Sequence, residues 1–363
     1  MPFRVTPGTG VRIYTAMSYA SLSPRQDIFY LHFLRCIAAI AVIAIHVLGP
    51  YRSMYDAIPY DAWFSAVAIN ALSRWAVPVF IMISGALLLT SAIEELKPFD
   101  ARHYLTRRMG KVLIPFLSWS LIYAATSGML AGDLDKATEA IVGFPSQPVW
   151  YHLWFFYDFI PLYFVIPLLA PVLRLMNREQ VKIVLAAWFT LTLMHFLKVP
   201  TCLRQSLVLY SGYLVLGWYL HNRNNRPQLK LWLVAGAGSA LLNLLGSAYA
   251  SKLTGGYSSL FMGYKSLNTV LIAGMLFVLA QVCADRIGTR LKRVLVSLST
   301  CSLGVYLLHP LLLIPVRATI KQQYDAFGHP ALTIPLIVLV TLLLAWGLAA
   351  LLARVPVVRH LVP

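Results

Sequence analysis

Two ionisable side chains eleven residues apart, Arg35 and His46, interrupt the apolar segment FLRCIAAIAVIAIHV that runs from Phe33 to Val47. On a helix, eleven residues are just over three turns, so both side chains share one face and lie roughly 16 Å apart along the axis. Ionisable groups at membrane depth are costly and normally face a bundle interior or a watered cavity, which makes this face a candidate functional site. The competing reading is anchorage, with the arginine and the histidine snorkelling to opposite interfaces. The segment WYHLWFFYDF adds His152 and Asp158; an interfacial aromatic belt accounts for its tryptophans but for neither of these groups. Asp158 lies six residues inside the apolar run and requires a partner or a proton, with Arg35 and Arg74 as candidate partners. SLGVYLLHPLLL puts His309 at membrane depth beside Pro310, where a hydrogen-bonded packing role is the alternative.

Two more stretches suit an anion rather than a proton. RWAVPVFIMISGALLL, from Arg74 to Leu89, holds a charge within the span and a Ser84-Gly85 pair at which a neighbouring helix or a ligand approaches the backbone closely. FDARHYLTRRMGKVLIPF clusters Arg107, Arg108 and Lys111 where a helix enters the membrane. Arg108 and Lys111 are three apart and adjoin on one face, a spacing suited to gripping a polyanion such as phosphate. Ordinary topology signalling and lipid headgroup contact is the other reading of that cluster. His46, His152 and His309 therefore fall in one half of the bilayer and suit proton transfer, whereas Arg35 and the basic loop fall toward the other half.

The elements that must position these residues are membrane helices. Of 363 residues, 59% are hydrophobic and 12% charged, and the mean hydropathy is +0.71, far outside the range of a soluble globular protein. The formal charge of +17 is carried by short segments between apolar runs, which argues for topology signals and against nucleic acid. The four cysteines, Cys36, Cys202, Cys283 and Cys301, have no metal-ligand spacing and read as small packing residues. Ten apolar runs are long enough to cross the hydrocarbon, at about 28–49, 63–90, 111–130, 150–173, 181–197, 205–221, 230–250, 265–283, 298–316 and 332–354. The second is too long for one straight crossing, and Pro78 in its middle predicts a kink or a broken helix. Assigning alternate connections to alternate sides puts twenty lysines and arginines on the N-terminal side and eight on the other, so both termini are expected in the cytoplasm. The expected organisation is an all-α, polytopic helix bundle of about ten helices over 28–354 with no separate soluble domain. Cytoplasmic tails at 1–27 and 355–363 flank it.

The chain resembles the acyltransferase-3 family of integral membrane acyltransferases. The resemblance rests on an arginine followed by ten residues and then a histidine in the first helix, here Arg35 and His46, and on four supporting phrases. These are VPVFIMISGALLL around Ser84, the basic motif before IPF, HLWF from His152 to Phe155, and SLGVYLLHPLL around His309. The closest subgroup is similar to the stand-alone enzymes that acetylate lipid-linked surface glycans and exopolysaccharides. The resemblance implies a bacterial inner-membrane enzyme that takes an acyl group from cytoplasmic acetyl-CoA, without a metal, and passes it to a sugar hydroxyl. The acceptor would be a lipid-linked oligosaccharide or polysaccharide near the outer face. On that reading His46 is the general base, with a covalent acyl-histidine relay as the alternative, and Arg35 orients the donor or stabilises oxyanion charge, while Arg107, Arg108 and Lys111 hold the CoA phosphates. Arg74, Ser84, His152, Asp158 and His309 are lining candidates. Two departures stand out: Lys111 occupies a position that is often a second arginine in the family, and Asp158 has no place in the family pattern. The competing class is a non-enzymatic carrier that moves an acyl group or a lipid-linked glycan across the bilayer, with the same polar residues lining its path.

Overall fold

A computed structural model describes residues 28–94, 100–203 and 205–362, and the expected tail at 1–27 lies outside the described residues, as do Lys97 and Arg204. Among the described residues there is no β-strand, and every predicted span coincides with helix. Eight helical segments are long and apolar enough to cross a membrane. The two remaining predicted spans, 181–197 and 205–221, are also helical but shorter or more polar, as described below.

The helix that carries Arg35 and His46, α1 (Phe29–Val47), forms the axis of the bundle. Ala38, Ala39, Ala41 and Ala44 are buried along it, and such small residues let neighbouring helices approach closely in a membrane. After a single turn, α2 (Gly49–Arg52), the long second apolar run divides into α3 (Tyr60–Ala71) and α4 (Ala76–Glu94). The break falls at Leu72–Trp75, just before Pro78. At the third position of α4 proline loses no helical bond, because the first amides of a helix have no partner within it. Arg74 therefore sits in the gap between two helices.

Next come α5 (Ala101–Ala131), α6 (Leu134–Gly143), α7 (Trp154–Leu175), α8 (Arg178–Phe196) and α9 (Ser206–His221). Asp100 caps α5 by accepting the His103 amide at 2.9 Å, and Asn177 and Gln180 form a reciprocal capping box at the start of α8. From Leu209 to His221 nearly every residue of α9 is buried, so beyond its first turn this sixteen-residue helix has no lipid-facing stripe. It crosses α4 through two glycines. A β-carbon on Gly85 would overlap the Leu214 backbone, and one on Gly217 would overlap the Met82 backbone. The close approach expected at Ser84-Gly85 is thus a helix at Gly85.

The chain ends with α10 (Leu229–Thr254), α11 (Leu267–Cys283), α12 (Thr289–Thr300), α13 (Ser302–Gln322) and α14 (Pro330–Leu352). Both α13 and α14 pack on α1, and exposed leucines such as Leu231, Leu241, Leu336 and Leu343 stud the outer faces of α10 and α14, as a surrounding of lipid permits. The last residues fold back on α5, where Trp119 Nε1 donates to the Leu361 carbonyl at 2.9 Å and Val362 is buried.

Candidate active site

Two polar regions lie at the two ends of α1. At the Arg35 end is a cavity of about 400 Å³. α1 contributes Arg35 and Val42 to its wall, α4 contributes Ser84, α5 contributes Arg108 and Lys111, α7 contributes Tyr163, and α13 contributes Tyr306. Arg35 Nη1 donates to Ser299 Oγ at 3.5 Å, and the same hydroxyl meets His32 Nδ1 at 2.9 Å. Among the described residues, no carboxylate lines the cavity. Three cations, Arg35, Arg108 and Lys111, share its wall. The first residues of α13, Ser302 and Leu303, also face the cavity. A helix amino end presents unpaired amides and the positive end of its dipole, so it adds to the attraction for an anion. Ser84 donates to the Phe80 carbonyl at 3.0 Å within its own helix, which leaves its oxygen lone pairs toward the space.

Arg107 does not join this set. Its side chain is exposed and off the cavity wall, because a step of one residue on a helix turns the side chain by about 100°. Of the basic cluster, Arg108 and Lys111 line the cavity beside Arg35, and Arg107 does not.

At the His46 end, three imidazoles come together from distant parts of the chain. The His46 ring centroid lies 5.2 Å from that of His309 and 4.9 Å from that of Tyr151, and His152 lies 5.9 Å from His309. His152 and His309 are fully buried, whereas His46 keeps partial access. His309 Nδ1 lies 3.1 Å from the Val305 carbonyl. A carbonyl only accepts, so Nδ1 carries the hydrogen and Nε2 presents its lone pair. That Nε2 and both ring nitrogens of His152 have no protein hydrogen-bond partner, a condition that buried polar atoms rarely tolerate outside functional sites. Pro310 supplies no amide to the Tyr306 carbonyl one turn earlier, which loosens the α13 backbone where the His309 ring packs.

Tyr306 joins the two regions. It lines the cavity, its ring lies 5.3 Å from His152 and 5.9 Å from His309, and its hydroxyl donates to the His152 carbonyl. Arg317 holds the far side: its Nη1 donates to the His46 carbonyl at 2.6 Å and its guanidinium lies 4.5 Å from the centre of the Tyr151 ring. A cation at the last turn of α1 is favoured by the helix dipole.

Asp158 is half-buried, and among the described residues it forms no ion pair with either candidate partner, Arg35 or Arg74. Arg74 instead donates to Tyr264 Oη at 2.9 Å and lies 5.1 Å from the centre of that ring, on which Trp154 stacks at 5.4 Å. Aromatic faces and hydroxyls thus substitute for a counter-ion. Among the described residues, no three histidine, cysteine or acidic side chains are placed to hold a metal.

The sequence reading missed Tyr306, Tyr151, Ser299, Arg317 and the amino end of α13. A signal existed for Tyr306, which stands three residues before His309 and so shares its helix face. For Tyr151, Ser299 and Arg317 there was none, because their roles depend on packing between elements far apart in sequence.

No curated protein and no solved structure matches the chain. Residues 28–350 match the family described as an acyltransferase domain, the acyltransferase-3 family. With a helical membrane bundle that brings Arg35, His46, His152 and His309 to the two ends of one helix, and with the family match covering nearly the whole chain, this protein belongs to the acyltransferase-3 family of membrane acyltransferases.

Proposed function

We propose that this protein is an O-acyltransferase of the bacterial inner membrane that moves an acetyl group from cytoplasmic acetyl-CoA to a sugar hydroxyl of a lipid-linked or surface glycan. The observation that carries the reading is the joint at Tyr306, a single side chain that forms the wall of a cationic cavity and touches the histidine cluster. The wall chemistry fits the donor: a nucleotide bearing several phosphates matches three cations and a helix amino end. When bound, the donor supplies a thioester carbonyl as the electrophile. Arg35, Arg108 and Lys111 would hold its anionic end, with Val42 and Tyr306 also in the cavity wall.

A sugar hydroxyl is a weak nucleophile at neutral pH, and a positioned base contributes about 10²- to 10⁴-fold. His46 is the member of the cluster that retains access. It takes the hydroxyl proton as the oxygen–carbon bond forms and the carbon–sulfur bond breaks, and returns that proton to the departing thiolate. His309, with its lone pair on Nε2, packs against the His46 ring and is itself flanked by His152. The charge bias of the connections supports cytoplasmic termini, which puts the cationic cavity on the donor side.

Purified protein in liposomes, with acetyl-CoA enclosed on the side of the basic loop and the acceptor glycan outside, tests the reading. Release of free CoA in step with acceptor acetylation is the expected result. Transport of acetyl groups or glycan without CoA release would favour the carrier instead.

A further inference from the structure

A second cavity, of about 550 Å³, lies away from the cationic one, between the end of α8 and the segment that joins α10 to α11. Thr254, Ser258 and Ser259 line it together with Phe196, Tyr257 and Lys198. Hydroxyls beside flat aromatic faces are the chemistry of carbohydrate recognition: polar groups meet sugar hydroxyls and rings cover the apolar faces of the sugar.

The cleft is also built rather than incidental. The segment 255–266 has little regular structure, yet it is pinned along its length by neighbouring helices. Ser251 Oγ accepts the Ser258 amide at 2.9 Å, Asn268 Nδ2 donates to the Phe261 carbonyl at 2.6 Å, Thr269 Oγ1 to the Gly263 carbonyl at 2.8 Å, and Tyr213 Oη to the Tyr264 carbonyl at 2.7 Å. On the opposite wall, Lys198 takes a left-handed backbone, φ +58°. Its amide bonds the His195 carbonyl and the next amide bonds the Met194 carbonyl, the pattern of a helix end at which glycine is normally preferred. A strained lysine stands where glycine would be easier, and its side chain faces the cleft.

The surrounding charge is positive. Tyr257 has the Arg52 guanidinium 5.7 Å from its ring centre, and its hydroxyl accepts from Asn70 Nδ2 at 2.8 Å. Arg74 is nine-tenths buried, and the Nε atoms of Arg52 and Arg74 have no hydrogen-bond partner. Among the described residues, no carboxylate pairs with Arg52, Arg74 or Lys198. The same segment carries Tyr264, whose ring stacks on Trp154, two residues after His152.

We infer that this cleft is a glycan subsite that holds an acidic sugar residue. Naming its occupant as the acceptor rests on the acyl-transfer reading; the binding itself does not. Isothermal titration of the full-length protein in nanodiscs with trigalacturonate and with neutral maltotriose tests it, alongside Lys198→Gly and Ser259→Trp. Both variants are mild for the fold, since glycine suits the Lys198 backbone and Ser259 is exposed. Wild-type protein is expected to bind trigalacturonate at least about tenfold more tightly than maltotriose, the worth of one charge-assisted contact. Lys198→Gly should erase that preference, Ser259→Trp should weaken both sugars, and CoA binding should stay unchanged in both. Absence of saturable binding, equal affinity for the two sugars in wild-type protein, or unaltered binding in both variants would overturn the subsite. Wild-type rates of acetyl transfer in Ser259→Trp would remove the cleft as the acceptor site and leave acyl transfer intact. Loss of sugar binding in variants of a protein that releases no CoA would do the reverse.

Discussion

The two ends of α1 solve opposite problems. At one end Arg35, Arg108 and Lys111 face open space, and the bond of Arg35 to Ser299 is long. At the other, His152 and His309 are sealed from solvent with ring nitrogens that have no protein partner. A guanidinium cannot shed its charge, so it must be hydrated or meet an anion. An imidazole can be buried neutral and still offer a lone pair. Charge is thus kept where an anion can enter, and proton affinity where water is excluded, with Tyr306 between them.

The contrast breaks first at His46. Glutamine keeps its polarity but cannot accept a proton, so His46→Gln should lose at least about 10²-fold in turnover with donor binding preserved. Stopped-assay acetylation and a separate CoA-binding titration measure the two; near-normal turnover would return that end of α1 to anchorage. Arg108→Ala should act at the opposite end and in the opposite parameter. It is expected to weaken CoA binding by about 1.5 to 3 kcal/mol, the worth of a hydrogen bond to a charged group, while turnover at saturating donor stays near normal. Equal losses in both parameters would mean that the two regions are not separate in function.

A smaller effect tests the frame that holds the regions in register. Gly85→Ala forces α4 and α9 apart, because the added carbon meets the backbone of Leu214 and no side chain there can move aside. Overpacking of this kind costs about 1 to 3 kcal/mol, and should appear as a lowered unfolding temperature in nanodiscs. The smallest effect is expected at Arg107, whose exposed side chain is off the cavity wall. Arg107→Ala should change CoA binding by no more than about 0.5 kcal/mol, the usual range for exposed positions. A loss equal to that of Arg108→Ala would put Arg107 back among the donor-binding groups and blur the boundary of the cavity.

What could be read from the chain alone follows from local rules. Long apolar runs must be helices in lipid, since no other unclosed structure satisfies its own backbone. The eleven-residue interval between Arg35 and His46 put both on one face whatever surrounded them, and Pro78 marked a break that falls a few residues earlier, at Leu72–Trp75. Partnership was another matter. Asp158 needed a partner or a proton, and the helix hydropathy left Arg35 and Arg74 equally eligible as partners; only the packing gave Arg74 the ring of Tyr264 and paired Asp158 with neither arginine. Likewise, hydropathy could place three histidines at one depth but not bring them within ring contact, and a run of basic residues could not say that Arg108 faces the cavity and Arg107 the surroundings. Depth along a helix is fixed by sequence number, because each residue adds a constant rise. Azimuth relative to other helices is fixed by how side chains interlock, and that depends on residues such as Gly85 and Gly217, more than a hundred positions apart, meeting at one crossing.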